Sequence, residues 1–346
     1  MIMIISAHYM YHGGMIDNGT SVNQVFAIFL RIGGKLGVNI FVLISAYFLS
    51  AQPFKFERIF RVACACIFYS IIVYLFACLW GGESTGWMTY LQVLFAPIYN
   101  SYWFVTAYIG MLVLSPILNV ILDKYSAEDV DGKKKLFYLC GFLFIILSCM
   151  PFIFVESNLF YSDVIWFCFL YLAAGYIRRF NAKNEKKVLY FSFITSVLIM
   201  WASALILTWI NSQLDSEFIK NNIYMAYETN SPVMFIAGIS LFLIFKDIMI
   251  NKYNKFINHV ASLTFACYLI HDNLFTRTIF WKELLKTPYF YNRPLWLVLL
   301  HLVFCIILIF SLAMVMEKIR ISLEKKIMGS KAVMHACRKI NQKLGT

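Results

Sequence analysis

The chain has 346 residues, of which 61% are hydrophobic and only 14% are charged, and its mean hydropathy is +0.72. Water-soluble domains are about half apolar and about a quarter charged, so this composition excludes a soluble fold. The formal net charge of +12 is typical of proteins that bind nucleic acid or a membrane surface. The basic residues fall in short segments between apolar runs and form no basic and aromatic face, which excludes nucleic acid as a partner.

Residues 1–11 are apolar, but they are too few to cross a bilayer and lack the basic start of a signal peptide. We expect them to be the end of a truncated first helix. Nine longer apolar runs follow, several near the length of about 20 residues that a membrane helix needs. In chain order they are Leu36–Ser50, Val62–Trp80, Trp103–Leu122, Leu136–Val155, Asn158–Ile177, Val188–Ile210, Pro232–Phe245, Ile257–Ile270 and Pro294–Met316. The predicted fold class is an all-α integral membrane protein, a single membrane domain over residues 1–346 with about ten transmembrane helices.

The distribution of basic residues predicts the orientation. Of the 30 Lys and Arg residues, 23 fall in five alternate segments, which are 51–61, 123–135, 178–187, 246–256 and 317–346. Because cytoplasmic loops carry the excess of positive charge, we expect these segments to face the cytoplasm, with 317–346 as a basic cytoplasmic tail. The intervening segments 12–35, 81–102, 156–163, 211–231 and 271–293 are then predicted to face outward.

Two histidines near the end of the first apolar run are candidates for chemistry. His8 and His12 are four residues apart and share a face if the helix continues that far. A histidine can take a proton from a hydroxyl nucleophile because its pKa lies near working pH. The pair could instead bind a metal, but no H-E-x-x-H or cysteine cluster supplies a third ligand, so no metal is expected. A purely structural role at a helix end is the other alternative.

A second candidate is the pair Arg58 and Arg61, predicted at the cytoplasmic start of a helix. Arginines three residues apart point the same way, and their donor forks suit the phosphates of an anionic cytoplasmic donor. The alternative is that both are simple positive-inside anchors.

Other polar groups in or near the apolar runs carry weaker signals. Trp103 opens a helix that contains Pro116, and proline should kink or loosen it. His271 and Asp272 are adjacent, but neighbours in sequence do not face each other on a helix, so no dyad is implied. His301 is isolated, and Asp163 is too, so interhelical hydrogen bonding is expected for both.

Taken in order, several motifs resemble acyltransferase family 3, the multi-pass bacterial O-acyltransferases of surface polysaccharides and related glycans. They are Ile5-Ser6-Ala7-His8 with His12-Gly13-Gly14, the stretch from Gly37 to Leu49, the R-x-x-R from Arg58 to Arg61, Tyr102-Trp103-Phe104 with Pro116, and Ser262 to His271. The resemblance implies that His8 matches the essential histidine of the family and that Arg58 and Arg61 match its cytoplasmic arginine pair, which is concerned with acyl-CoA. The arginine of the family's R-x10-H pattern would precede the first residue of this sequence.

The resemblance further implies a transferase of the bacterial plasma (inner) membrane. It would move an acyl group, most simply acetyl, from acetyl-CoA or another acyl-CoA to a hydroxyl of a surface polysaccharide or lipid-linked sugar, without a permanently bound cofactor. The expected partners are a carbohydrate acceptor and the lipid bilayer. Candidate supporting residues are His12, Asn39, Tyr47, Trp103 and His271, with Asn39, Tyr47 and Trp103 as possible oxyanion donors. The alternatives are a transporter or flippase of a glycan precursor, and a non-catalytic membrane partner derived from such an enzyme.

Overall fold

The computed structural model describes residues 1–81, 86–99, 101–154, 161–180, 185–248 and 254–343. The chain is 84% helical, and its described residues contain no strand, which confirms the predicted all-α class. The predicted end of one apolar run at Val155 and the predicted start of the next at Asn158 lie outside the described residues.

Sixteen α-helices follow one another in the described part of the chain. The first eight are α1 (Ile2–Tyr11), α2 (Met15–Asn18), α3 (Ser21–Leu49), α4 (Phe56–Gly81), α5 (Trp87–Leu94), α6 (Trp103–Ala127), α7 (Asp129–Phe144) and α8 (Met150–Ile153). The others are α9 (Asp163–Phe180), α10 (Lys186–Leu214), α11 (Glu217–Asn222), α12 (Pro232–Lys246), α13 (Lys255–Ser262), α14 (Thr264–His271), α15 (Leu295–Met328) and α16 (Lys331–Lys343). Two π-helical turns, Ile145–Cys149 and Ile279–Leu284, and two 3₁₀ turns, Met225–Tyr227 and Thr287–Phe290, complete the helical structure.

Seven helical segments among the described residues are long and apolar enough to cross a membrane. The chain is therefore a multi-pass membrane protein, and the count of about ten crossings stays a prediction. The predicted crossing Ile257–Ile270 differs from expectation, because α13 and α14 meet at Leu263 as two helices of 8 residues each. The α-helical assignment of α6 continues across Pro116, so the proline does not end the helix.

Residues 1–27, 54–113 and 252–346 form one of two compact units, called unit 1 here. Its helix α1 is apolar on all sides and is mostly buried, as expected of a helix enclosed by others. The ring of Tyr9 packs edge-on against Trp281 with centroids 6.0 Å apart, and its hydroxyl lies 2.8 Å from His301 Nδ1. This contact joins α1 to α15 and confirms the interhelical hydrogen bond expected for His301.

Residues 28–53 and 114–251 form the second compact unit, unit 2. Its core contains Trp166, Phe169 and Phe235, whose ring centroids lie 5.0 to 5.9 Å apart. Such offset aromatic clusters bury large apolar areas. Asp163 accepts a hydrogen bond from the hydroxyl of Tyr161 at 2.7 Å, so its partner lies two residues away rather than on another membrane helix.

Candidate active site

The end of α1 is fixed by two consecutive glycines. Gly14 has φ of 80°, a left-handed conformation that favours glycine, and a Cβ there would meet the hydroxyl of Tyr291. The carbonyl of Gly13 accepts hydrogen bonds from Tyr291 Oη at 2.7 Å and from Thr287 Oγ1 at 3.0 Å. These contacts hold the last turn of α1, and therefore His8 and His12, against the segment that follows α14.

The imidazole of His8 contacts a second histidine that lies 263 positions later in the sequence. His8 Nδ1 is 3.0 Å from Nε2 of His271, the last residue of α14. The other ring nitrogen of His271, Nδ1, contacts the carbonyl oxygen of Cys267 one helical turn earlier. A continuous chain of contacts thus runs from the backbone of α14 through His271 to His8.

The direction of these hydrogen bonds follows from the carbonyl. A carbonyl oxygen only accepts, so His271 must carry its proton on Nδ1. His271 is fully buried, and burial disfavours its charged form, so its Nε2 is unprotonated and accepts from His8 Nδ1–H. The unprotonated nitrogen of neutral His8 is therefore Nε2.

The carboxylate of Asp272 lies beside the same two α1 histidines. Its Oδ1 is 3.3 Å from His12 Nε2 and 3.7 Å from His8 Nδ1. Burial favours the neutral acid and raises the pKa of Asp272, but the surrounding imidazoles, led by His8, outweigh burial and hold that pKa below its ordinary value. The site therefore contains a carboxylate that stabilises a positive charge on either imidazole.

The segment that carries this site is held by buried hydrogen bonds. Trp281 Nε1 donates to the carbonyl of His271 at 3.2 Å. Tyr102 donates to the carbonyl of Leu269 at 2.8 Å and accepts from Asn273 Nδ2 at 2.8 Å. These contacts fix the backbone that carries His271 and Asp272.

Sequence reasoning named Trp103 at the start of α6, but its buried neighbour Tyr102 makes the contacts to the histidine segment. The ring of Trp103 is half-buried and packs against Phe104 with centroids 6.3 Å apart. The role of Trp103 as an oxyanion donor stays a prediction.

The same cluster supplies the third candidate metal ligand that the sequence pattern lacked. Ligand atoms of His8, His12 and Asp272 all lie within 4.8 Å of one another. Two histidines and one carboxylate are a donor set found in zinc sites, where three protein ligands leave a fourth position open. The expectation of no bound metal therefore stays a prediction that needs its own test.

Arg58 and Arg61 lie on the first turns of α4, where they line one cavity of about 420 Å³ together with Lys55. Glu57, Met328 and Met334 complete its lining. Three cationic side chains against one carboxylate give this cavity a positive balance that suits an anionic ligand.

The arginine cavity and the histidine cluster lie toward opposite ends of α4. Tyr74, in the later part of α4, packs against Phe275 with ring centroids 5.9 Å apart, and Phe275 is three residues after Asp272. Thirteen residues separate Arg61 from Tyr74, which corresponds to about 20 Å along a helix. A ligand that engages both sites must therefore extend along the length of α4.

The predicted supporting residues Asn39 and Tyr47 lie in unit 2 and contact other residues of that unit. Asn39 Nδ2 donates to the carbonyl of Thr229 at 2.8 Å, and its Oδ1 accepts from Trp166 Nε1 at 3.1 Å. The guanidinium of Arg178 lies 4.8 Å from the ring centroid of Tyr47. Their participation in catalysis stays a prediction.

The site thus contains a histidine whose tautomer is set by a buried chain of hydrogen bonds, within a multi-pass helical membrane protein. The family model described as "Acyltransferase domain" matches residues 1–317 of the chain. The chain belongs to acyltransferase family 3 and is a membrane acyltransferase. No curated protein sequence and no solved structure matches it.

Proposed function

We propose that the chain is an O-acyltransferase of the bacterial plasma membrane. It transfers an acyl group, most simply acetyl, from acyl-CoA to a hydroxyl of a surface polysaccharide or lipid-linked sugar. The observation that carries this proposal is the relay from the Cys267 carbonyl through His271 to His8, because it assigns the proton-accepting lone pair to His8 Nε2.

In the proposed reaction, His8 Nε2 takes the proton of the sugar hydroxyl while the hydroxyl oxygen attacks the thioester carbonyl carbon. The carbonyl becomes a tetrahedral oxyanion, and the nearby Asp272 carboxylate stabilises the His8 imidazolium. Collapse of the oxyanion breaks the carbon–sulfur bond. The departing thiolate takes the proton from His8, so the products are the sugar ester and free CoA, and the imidazole returns to its neutral form.

The donor end of the reaction is assigned to the arginine cavity. The phosphates of acyl-CoA bind Lys55, Arg58 and Arg61, which supply charge-assisted donors from the predicted cytoplasmic side. The pantetheine arm then extends along α4 toward the histidine cluster. His12, His271 and Asp272 belong to segments predicted to face outward, and His8 precedes the first of these segments. This route supports transfer of the acyl group across the bilayer to an outward-facing acceptor.

The direct test is transfer of radiolabelled acetyl from acetyl-CoA to cell-surface glycan in membranes that contain the intact chain. We compare His8→Ala with His259→Ala, because His259 is exposed and lies outside the cluster. The expected result is label on the glycan with the intact chain and with His259→Ala, and no label with His8→Ala at the same protein level.

Two outcomes contradict the proposal. Full activity of His8→Ala would remove His8 from the mechanism. If the intact chain moves a glycan precursor across vesicle membranes without acyl-CoA and never labels it, the chain is a transporter or flippase. Label found only on inner-leaflet precursors would contradict the outward-facing acceptor while leaving the acyl transfer intact.

A further inference from the structure

Unit 2 contains a cavity that the proposed acyl-transfer chemistry does not use. Its volume is about 580 Å³, within the range of about 300–1,000 Å³ common for small-molecule sites. Three aromatic side chains line it, Phe152, Tyr161 and Tyr224, and three amide side chains, Asn221, Asn222 and Asn230.

The lining excludes several classes of ligand. Among the described residues, the lining contains no Leu, Ile or Val, whereas a pocket for an acyl chain would be predominantly aliphatic. The charged residues of this described lining are one cation and one anion, Arg31 and Glu228, so they give no positive surplus for a phosphate. Flat aromatic side chains suit the apolar face of a ring, and amide donors and acceptors suit hydroxyl groups. The lining therefore suits a neutral ligand that has both features. A sugar has this chemistry.

The π-helical turn at Ile145–Cys149 shapes one wall of the cavity. Ser148, within this turn, donates its hydroxyl to the carbonyl of Asn230 at 2.6 Å. The amide nitrogen of Asn230 donates to the carbonyl of Leu147 at 2.9 Å, a second bond between the same two segments. π-helical turns occur frequently at functional sites, and here the turn fixes the orientation of the Asn230 amide.

Asn222 is fixed in a similar way by its own helix. Its Nδ2 donates to the carbonyl of Phe218, four residues earlier, at 2.8 Å. In both Asn222 and Asn230 the side-chain nitrogen donates to a protein carbonyl, and no described residue donates to the side-chain oxygen. The two oxygens can therefore accept hydrogen bonds from ligand hydroxyls. Two acceptors with fixed orientation select hydroxyl pairs rather than apolar groups.

The aromatic side of the cavity is also fixed. The guanidinium of Arg31 lies 3.6 Å from the ring centroid of Tyr224, so this ring is held by a cation–π contact. Tyr161 donates to Asp163 at 2.7 Å, and burial, followed by the nearby Asp163 charge, raises the pKa of Tyr161. The phenol is therefore neutral at physiological pH and presents an uncharged aromatic face.

Most of the cavity residues come from separate segments that the charge distribution predicts to be outward-facing, whereas Ser148, Pro151 and Phe152 belong to the predicted membrane run Leu136–Val155. Arg31 belongs to segment 12–35, Tyr161 to segment 156–163, and the residues from 221 to 231 to segment 211–231. Three predicted outer segments meet at this polar cavity. We therefore expect the cavity to lie on the outer side of the membrane, where a surface glycan is found.

We infer that this cavity is a carbohydrate-binding site, which holds a neutral sugar unit of the acceptor glycan apart from the hydroxyl that reacts. The inference rests on the proposed function for its physiological acceptor, but sugar binding itself requires no acyl transfer. Tyr224, which has the Arg31 guanidinium over one face of its ring, forms part of the aromatic wall. Asn222 and Asn230 accept hydrogen bonds from sugar hydroxyls.

The test uses the full-length His8→Ala protein in nanodiscs, so that no transfer takes place during binding. The probe is de-O-acetylated polysaccharide released from the surface of the host cells and cut to short oligosaccharides, with binding measured by titration calorimetry. Tyr224→Ala and Asn222→Ala are made in this background. Their matched controls are Tyr190→Ala, an exposed tyrosine outside the cavity, and Asn258→Ala, whose Nδ2 likewise bonds a carbonyl four residues earlier.

We expect saturable binding by the His8→Ala protein and by both controls, with binding at least tenfold weaker in Tyr224→Ala and Asn222→Ala. Equal affinity in cavity and control variants, or no binding by any variant, overturns the inference. A third outcome also overturns the inference: a phospholipid co-purifies with His8→Ala, is lost with Tyr224→Ala, and is not displaced by the oligosaccharide. If binding follows the expected pattern and the intact chain transfers no acetyl, the proposed function fails and the carbohydrate site stands.

Discussion

His8 Nδ1 lies 3.0 Å from His271 Nε2, and the second nitrogen of His271 contacts the backbone carbonyl of Cys267. This relationship sets the tautomer of His8, so we propose that His271 is a positioning residue for the proposed base. The carbonyl cannot donate, so each hydrogen bond of the chain has only one possible direction when both rings are neutral.

We expect His271→Ala to lower kcat by about 10²-fold or more, the usual contribution of a well-placed general base, with little change in KM for acetyl-CoA. His271→Gln should retain more activity than His271→Ala, because an amide can donate to a carbonyl and accept from His8. Steady-state kinetics with His259→Ala as the control measure both effects. Equal activity of His271→Ala and the intact chain would show that the relay has no role.

The Asp272 carboxylate, 3.7 Å from His8 Nδ1, favours the protonated form of that imidazole. In Asp272→Asn this charge is absent, so His8 loses its proton more readily. The acidic limb of the kcat/KM profile should move to lower pH by about one unit, and kcat should fall because the imidazolium is less stabilised. Asp17→Asn, an exposed substitution in α2, should leave the limb in place. An unchanged limb in Asp272→Asn would contradict the electrostatic role.

Metal ions provide a separate test of the histidine base. Tetrahedral Zn²⁺ with bonds of about 2.0–2.1 Å holds its ligand atoms about 3.3 Å apart. His12 Nε2 and Asp272 Oδ1 are 3.3 Å apart, so added Zn²⁺ should bind the cluster, perturb His8 and inhibit transfer. EDTA should leave the activity of the purified protein unchanged and should reverse inhibition by zinc. Loss of activity in EDTA with recovery on adding Zn²⁺ would show a metal-dependent mechanism instead.

Arg61→Ala should raise KM for acetyl-CoA several-fold. This substitution removes one of three cationic groups in the arginine cavity, the proposed binding site of the CoA phosphates. With S-acetyl-pantetheine, which lacks the nucleotide phosphates, the same variant should have nearly the KM of the intact chain. Arg338→Ala removes an exposed arginine of α16 outside the cavity and serves as the matched control. Equal effects of Arg61→Ala on both donors would contradict phosphate binding.

Gly14 is the one glycine among the described residues with a positive φ, 80°, and a Cβ there would meet the hydroxyl of Tyr291. Gly14→Ala should destabilise the protein by about 1–2 kcal/mol from the left-handed conformation, with a further loss from the clash. The expected result is a lower Tm in a thermal-shift assay and reduced activity. Gly141→Ala, where a Cβ meets nothing within 4 Å, should not lower the Tm. A Gly14→Ala protein as stable as the intact chain would contradict this account.

Hydropathy predicted most of the membrane helices because each apolar run had charged or polar ends. The start of α6 at Trp103 agrees with the prediction. The apolar run Leu36–Ser50 was expected to borrow flanking residues such as Phe26 to Ile32, and α3 includes them: it begins at Ser21 and continues through Gly33 and Gly34. Glycine lowers helix propensity by only about 1 kcal/mol, which tertiary packing overcomes.

The candidate base was predictable from the spacing of His8 and His12, but its partners were not. A contact between residues 263 positions apart leaves no local pattern in the sequence. The expectation that adjacent His271 and Asp272 face apart assumed a continuous helix. The α-helix α14 ends at His271, and Asp272 has φ of −120° outside it, so both side chains are directed to the same cluster.

The distance in sequence between His8 and His271 has a consequence for biosynthesis. His8 is made 263 residues before His271, so at about 5–20 residues per second its partner follows on the order of tens of seconds later. During that interval the nascent chain carries a histidine whose tautomer nothing on α14 yet fixes. A ribosome-bound or truncated product that ends before α14 therefore contains His8 without its relay, and we expect no acyl transfer from such a product.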